Sequence, residues 1–133
     1  MPSESEAVAV TRNIRVHVET EYAPGRSDPA QNQWFFLYTI RLTNEGRDTV
    51  QLISRHWIIT DAMGQTEEVK GKGVVGKQPV LEPGETFEYT SGCELKTPFG
   101  SMRGTYQMLT ANREGFDVEI PSFTMTEPYT TVH

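Results

Sequence analysis

With 133 residues, 36% of them hydrophobic and 23% charged, the chain has the balance of an ordinary globular domain. Area scaling lets a chain of this length bury about two thirds of its extended surface, enough for one core without staples. A formal net charge of −6 argues against a phosphate-backbone binder, which needs a basic face, so no nucleic-acid partner is expected.

Residues 1–10 carry Glu4 and Glu6 and lack the basic start and apolar run of a secretory signal. They are expected to form a flexible segment ahead of one domain over residues 11–125, with residues 126–133 fraying at the other end. Period-two alternation begins at Ile14, Val16 and Val18, with Arg15, His17 and Glu19 between them, the mark of a half-buried strand. Pro24, Gly25, Asp28 and Pro29 then break the pattern and predict a long loop over residues 23–32.

Residues 34–43 are rich in aromatic and β-branched side chains, and Trp34, Phe36, Tyr38, Ile40 and Leu42 fall on one face. Asn44-Glu45-Gly46 turns the chain into a second long apolar strand over residues 50–61. A short strand is expected over residues 66–70, followed by a glycine-rich stretch over residues 71–76 and a turn at Leu81-Glu82-Pro83-Gly84. Phe87 and Tyr89 resume the alternation, residues 93–100 read as a loop, and Met102, Gly104, Tyr106 and Met108 form a further strand. Residues 112–115 close a hairpin onto Phe116, Val118 and Ile120. Seven or eight strands at this spacing, with no helical periodicity, predict an all-β sandwich of two antiparallel sheets.

No run reaches the ~18 apolar residues of a membrane helix, so no membrane contact is expected. The single Cys93 rules out an internal disulfide and fits a reducing compartment; a cytoplasmic location is expected.

Gly71-x-Gly73-x-x-Gly76 is the sharpest local motif, since such spacing can converge backbone N–H groups on a phosphate. Pro79 and the turn after it leave no room for the helix of a dinucleotide fold. Two readings stand. In one, Lys70, Gly71, Lys72, Gly73, Gly76 and Lys77 bind a phosphate-containing small molecule; in the other, the glycines serve a strand connection that requires positive φ. The motif positions no carboxylate for Mg²⁺, and no cofactor is expected.

His17, His56 and His133 match no ligand spacing, so no metal site is expected. Asp117 and Glu119 share one strand face and read as a solvated pair. Ser54 and His56 share a face too, but no nucleophile elbow surrounds the serine and Asp61 has the opposite parity. No catalytic residue is assigned, and the chain is read as a non-enzyme.

Both faces of two strands are apolar. Phe35 and Leu37 oppose the Trp34 to Leu42 face, and Ile53, Trp57 and Ile59 oppose Val50, Leu52 and Ile58. A bulge near Ser54 would swap the parity and bury Trp57 together with Val50. For Phe35 and Leu37, either the loop over residues 23–32 covers them or they form a surface for a protein partner or a homodimer.

Several motifs, in order, resemble the bacterial ApaG family. They are Ser54-Arg55-His56-Trp57-Ile58-Ile59-Thr60-Asp61, Gly71-Lys72-Gly73-Val74-Val75-Gly76-Lys77-Gln78-Pro79, Leu81-Glu82-Pro83-Gly84-Glu85, Tyr89-Thr90-Ser91-Gly92-Cys93 and Met102-Arg103-Gly104-Thr105-Tyr106-Gln107-Met108. The resemblance spans about residues 14–123. It implies an immunoglobulin or fibronectin type III-like sandwich. It also implies a family named for its association with diadenosine tetraphosphate hydrolase, linked with cobalt and magnesium tolerance, and recurring as a domain inside eukaryotic interaction proteins. By analogy with those, the expected function is a non-catalytic binding module with a protein partner whose identity the sequence does not give.

Overall fold

A computed structural model describes residues 5–128. The described residues form nine strands: β1 (Ser5–Thr11), β2 (Ile14–Tyr22), β3 (Trp34–Asn44), β4 (Val50–Asp61), β5 (Thr66–Lys72), β6 (Val80–Leu81), β7 (Thr86–Leu95), β8 (Phe99–Thr110) and β9 (Gly115–Thr126). One antiparallel sheet runs β1-β2-β3-β7; the other runs β5-β4-β8-β9, with β6 added beside β4. The all-β sandwich is therefore the observed architecture.

Alternation places the core as the sequence implies. Ile14, Val16 and Val18 of β2 and Phe36, Tyr38, Ile40 and Leu42 of β3 are buried and face Leu52, Trp57, Met102, Tyr106, Met108, Val118, Ile120 and Phe123 of the other sheet. The centre is aromatic: Tyr38 and Phe123 each pack against Trp57, at 5.5 and 5.9 Å between ring centroids. Edge-to-face arrangements of this kind add to the gain from simple burial.

Two bulges adjust the second sheet. The register of β4 against β8 shifts between Leu52 and Ser54, and this extra residue swaps the parity so that Val50, Leu52 and Trp57 are all buried. The β8 and β9 register shifts between Met102 and Gly104, opposite Pro121, which has no N–H to give a ladder.

Three sequence expectations change. Residues 5–10, expected to be a flexible lead, belong to β1, which pairs along β2 from Ser5↔Thr20 to Thr11↔Ile14. Arg12 and Asn13, at φ 47° and 67°, form the tight turn between them, of the kind that needs positive φ at both central residues. The loop expected over residues 93–100 shrinks, because β7 continues to Leu95 and β8 begins at Phe99. At the far end β9 reaches Thr126, and the Glu127 amide donates to the Pro98 carbonyl (2.9 Å); residues 129–133 of the segment expected to fray lie outside the described residues.

The two sides of the sandwich differ. On one, Ser5 Oγ of β1 donates to the Thr124 carbonyl of β9 (2.6 Å), and the Glu119 amide donates to Thr11 Oγ1 (3.2 Å), so the sheets are stitched together. On the other, β5 and β7 are the end strands of their sheets.

Candidate functional site

The glycine stretch begins on β5, where Gly71 pairs with Arg55, Lys70 with His56 and Lys72 with Ser54. The Arg55 guanidinium lies on Gly71 so closely that a Cβ there would stand 2.7 Å from Nη1. Nη1 donates to the carbonyls of Lys72 (3.2 Å) and Gly73 (2.8 Å). Gly73, at φ +66°, has no room for a side chain beside the Lys77 carbonyl oxygen. Beyond it, Val75 (φ 43°) and Gly76 (φ 79°) are the central residues of a tight turn closed by Val74 N–H to Lys77 O (2.8 Å) and Lys77 N–H to Val74 O (2.9 Å). Val74 is buried, and the Gly73 amide donates to Ile53 O (2.8 Å).

The amides of Gly73, Val74 and Lys77 thus all serve carbonyls of the protein itself. Turn geometry and the close approach of Arg55 account for the glycines. What the region offers an anion is side chains: Ser54, His56, Lys70, Lys72 and Gln107 rim a shallow open groove with the backbone of Arg55 and Gly71 in its wall, while the Arg55 guanidinium points to the opposite, inward face. Lys77 is not on that rim.

The hydrolytic residues weighed from the sequence are not brought together. Ser54 Oγ donates to Gln107 Oε1 (2.8 Å), His56 Nε2 meets Glu68 Oε1 (2.7 Å), and Asp61 Oδ1 accepts the amides of Met63 (2.9 Å) and Gln65 (3.0 Å). Asp117 and Glu119 stand exposed on β9.

Phe35 and Leu37 do not form a bare patch, because the loop after β2 folds over the start of β3. Its 3-10 turns, Pro24–Arg26 and Pro29–Gln31, bring the Arg26 guanidinium 4.0 Å from the centre of the Phe35 ring, a cation–π contact. Gly92 of β7 lies against that ring and leaves the space it occupies. The Phe35 amide donates to Ser27 Oγ (2.8 Å), and its carbonyl accepts from Ala23 (2.9 Å). Leu37, flanked by Glu21 and Gly92, is half-buried. Covering by the loop holds at Phe35.

Behind the β5 and β7 side the core turns polar. Tyr89 and Tyr106 hydroxyls are 2.6 Å apart; burial raises the Tyr89 pKa and holds that of Tyr106 well above the usual range. The Cys93 thiol is pushed up to about 12, first by burial and then by Glu67 and Glu94, which keeps it protonated and unreactive at neutral pH. Between β5 and β7 runs a groove lined by Ile59, Asp61, Gln65, Thr66, Glu67, Glu94, Leu95 and Lys96. Ile59 supplies its apolar wall with Leu95 buried behind it, and among the described residues Asp61, Glu67 and Glu94 outnumber the one cation, Lys96.

On the outer face of the first sheet, strand pairing assembles a group that no sequence spacing reveals. Glu6 of β1 stands opposite Glu19 of β2, and His17 lies two residues from Glu19 on the same face. His17 Nε2 is 2.8 Å from Glu6 Oε2 and 3.9 Å from Glu19 Oε1. The expectation of no metal ligands rested on the spacing of histidines, and carboxylates joined to one histidine by register escape that criterion. His133 lies outside the described residues.

Residues 24–110 match the family model for the ApaG domain. The chain is 55% identical over 120 residues to Protein ApaG of Bradyrhizobium sp. (strain BTAi1), covering 90% of this chain and 92% of that one. It is 53% identical over 120 residues to Protein ApaG of Rhodospirillum centenum, with the same coverage. A crystal structure described as the ApaA protein from Bordetella pertussis superposes with a TM-score of 0.86 at 52% identity, over 92% of this chain and all of that one. The C-terminal domain of wzt, at 7% identity and a TM-score of 0.51, shares the fold alone. Identity at this level across nearly the whole length leaves one assignment: the chain belongs to the ApaG family.

Proposed function

We propose that the chain is a non-catalytic binding module that takes an extended, basic segment of a protein partner along the opening between β5 and β7. The observation that carries this reading is the groove itself. Its two walls are end strands whose outward backbone groups have, among the described residues, no neighbouring strand in their sheets, and such edges accept an added strand through main-chain hydrogen bonds. Ile59, backed by the buried Leu95, offers apolar contact for alternate side chains, while Asp61, Glu67 and Glu94 favour lysine or arginine at the others.

The test uses a synthetic peptide of alternating Lys and Val, with a block-ordered peptide of the same composition as control, titrated calorimetrically into the full chain. Binding of the alternating peptide alone, weakened at least tenfold by Glu67→Lys with Glu94→Lys, supports the reading. Equal binding of both peptides, or an unchanged affinity in the double variant, overturns it.

A second reading rests on the basic groove. Lys70 and Lys72 are exposed beside His56 in a protein of net charge −6, a local field that attracts a phosphate-containing small molecule. On this reading the lysine side chains bind the anion and Gly71, Gly73 and Gly76 shape the turn. Titrating pyrophosphate, ATP and diadenosine tetraphosphate into the native chain and into Lys70→Ala with Lys72→Ala checks it. Saturable binding lost in the variant supports it, and binding that survives there directs attention to Lys77 and the amides of Val75 and Gly76.

A further inference from the structure

We propose that Glu6, His17 and Glu19 form a surface site for a divalent transition ion of the zinc and nickel class. The site is separate from both surfaces above, since it lies on the outer face of β1 and β2.

The geometry is that of a partly closed coordination shell. Ligand atoms that each stand about 2.1 Å from a metal lie ~3 to ~4 Å from one another. His17 Nε2 stands 2.8 Å from Glu6 Oε2 and 3.9 Å from Glu19 Oε1, and the three ligand atoms fall within 4.8 Å of one another. Only the pair of carboxylates needs to draw together. Both can, being 64% and 55% exposed, while the imidazole, at 19%, is held by its surroundings.

Charge supplies the second argument. Glu6 lies directly across from Glu19, and like charges in that position repel. The nearby guanidinium groups are committed elsewhere. Arg41, opposite His17 on β3, gives Nε and Nη2 to Glu88 (3.0 and 2.8 Å), and Arg15 gives Nε to Glu45 (2.8 Å). Among the described residues the pair is therefore left with one hydrogen-bonded imidazole between two carboxylates, and a cation binding all three removes the repulsion. An imidazole among the ligands favours zinc, nickel or copper over magnesium or calcium, which prefer oxygen alone. Three protein ligands leave the remaining positions to water.

The experiment is a titration of Zn²⁺ into the full chain, followed by calorimetry and by NMR of the imidazole signals and backbone amides, with Mg²⁺ as a parallel arm. We expect one ion per chain, changes at the His17 ring and at the amides of residues 6, 17 and 19, and no response there to Mg²⁺ at the same concentration. His17→Ala, and separately Glu6→Gln with Glu19→Gln, should each weaken binding at least tenfold. Their metal-free unfolding temperatures should stay near that of the native chain, since all three side chains lie outside the core. His56→Ala should bind as the native chain does. Unchanged affinity in His17→Ala, or Zn²⁺ responses confined to His56, Cys93 or His133, would overturn the proposal.

Discussion

The two sides of the sandwich are built from different residues, and the difference separates support from recognition. Where β1 and β9 meet, the inner faces carry Ile14, Val16, Val18, Val118, Ile120, Phe123 and Met125, all buried, and side-chain hydroxyls of Ser5, Thr11 and Thr20 bridge the sheets. Where β5 and β7 stand apart, the inward residues include Arg55, Tyr89 and Cys93, with acidic side chains along the rim. An apolar seam gains from closing. A seam with a guanidinium, hydroxyls and carboxylates keeps part of its surface wet and leaves two strand edges available.

Deleting a large side chain from the closed side should give the greatest loss. Phe123→Ala removes a ring that packs on both Trp57 and Tyr38 and should cost about 3–5 kcal/mol in urea unfolding. A loss below 1 kcal/mol would show that this side is not the support.

Alkaline pH should act from the other side. Cys93, Tyr89 and Tyr106 all have pKa values raised by burial, so the folded form holds their protons more tightly than the unfolded chain does. Their contribution to stability is complete below the ordinary thiol and phenol values, 9.0 and 10.0, and is lost as pH rises toward and beyond about 12. Unfolding monitored from pH 8 to 12 should show stability falling above pH 9 to 10, with β7 amides losing protection before those of β9. A flat profile would contradict the assignment.

Smaller effects sharpen the picture at β5. Gly71→Ala places a methyl where the Arg55 guanidinium lies and should cost about 1–3 kcal/mol, the worth of hydrogen bonds from a charged donor. In an Arg55→Ala background the same change should cost much less, and this non-additivity is the readout. Val75 adopts a left-handed conformation at φ 43°, unfavourable for a β-branched residue, so Val75→Asn should stabilise by about 0.5–1 kcal/mol in thermal unfolding. Destabilisation there would mean that the exposed valine makes contacts that matter.

Much of the fold was legible because the pleat imposes period two. β4 shows how far that reasoning reaches: Trp57 has the wrong parity to join Val50 and Leu52, a bulge near Ser54 resolves the conflict, and the register shift lies between Leu52 and Ser54. β1 shows where it stops. Its inward residues are Ser5, Ala7, Ala9 and Thr11, while Val8 and Val10 face solvent at 47% and 49% exposure, so its apolar signal is inverted. The glycine motif was legible as a motif but not as chemistry, because whether amides converge on a ligand or on neighbouring carbonyls depends on φ angles and partners far along the chain. The Glu6, His17 and Glu19 group was invisible, since it exists only through register.

The most direct test of the contrast between the two sides is an amide map of the alternating Lys and Val peptide bound to the native chain. The account predicts perturbed signals along β5 and β7, centred on residues 66–69 and 92–95, with β1 and β9 silent. Perturbation centred on β1 or β9, or none at peptide concentrations that saturate the calorimetric signal, would contradict it.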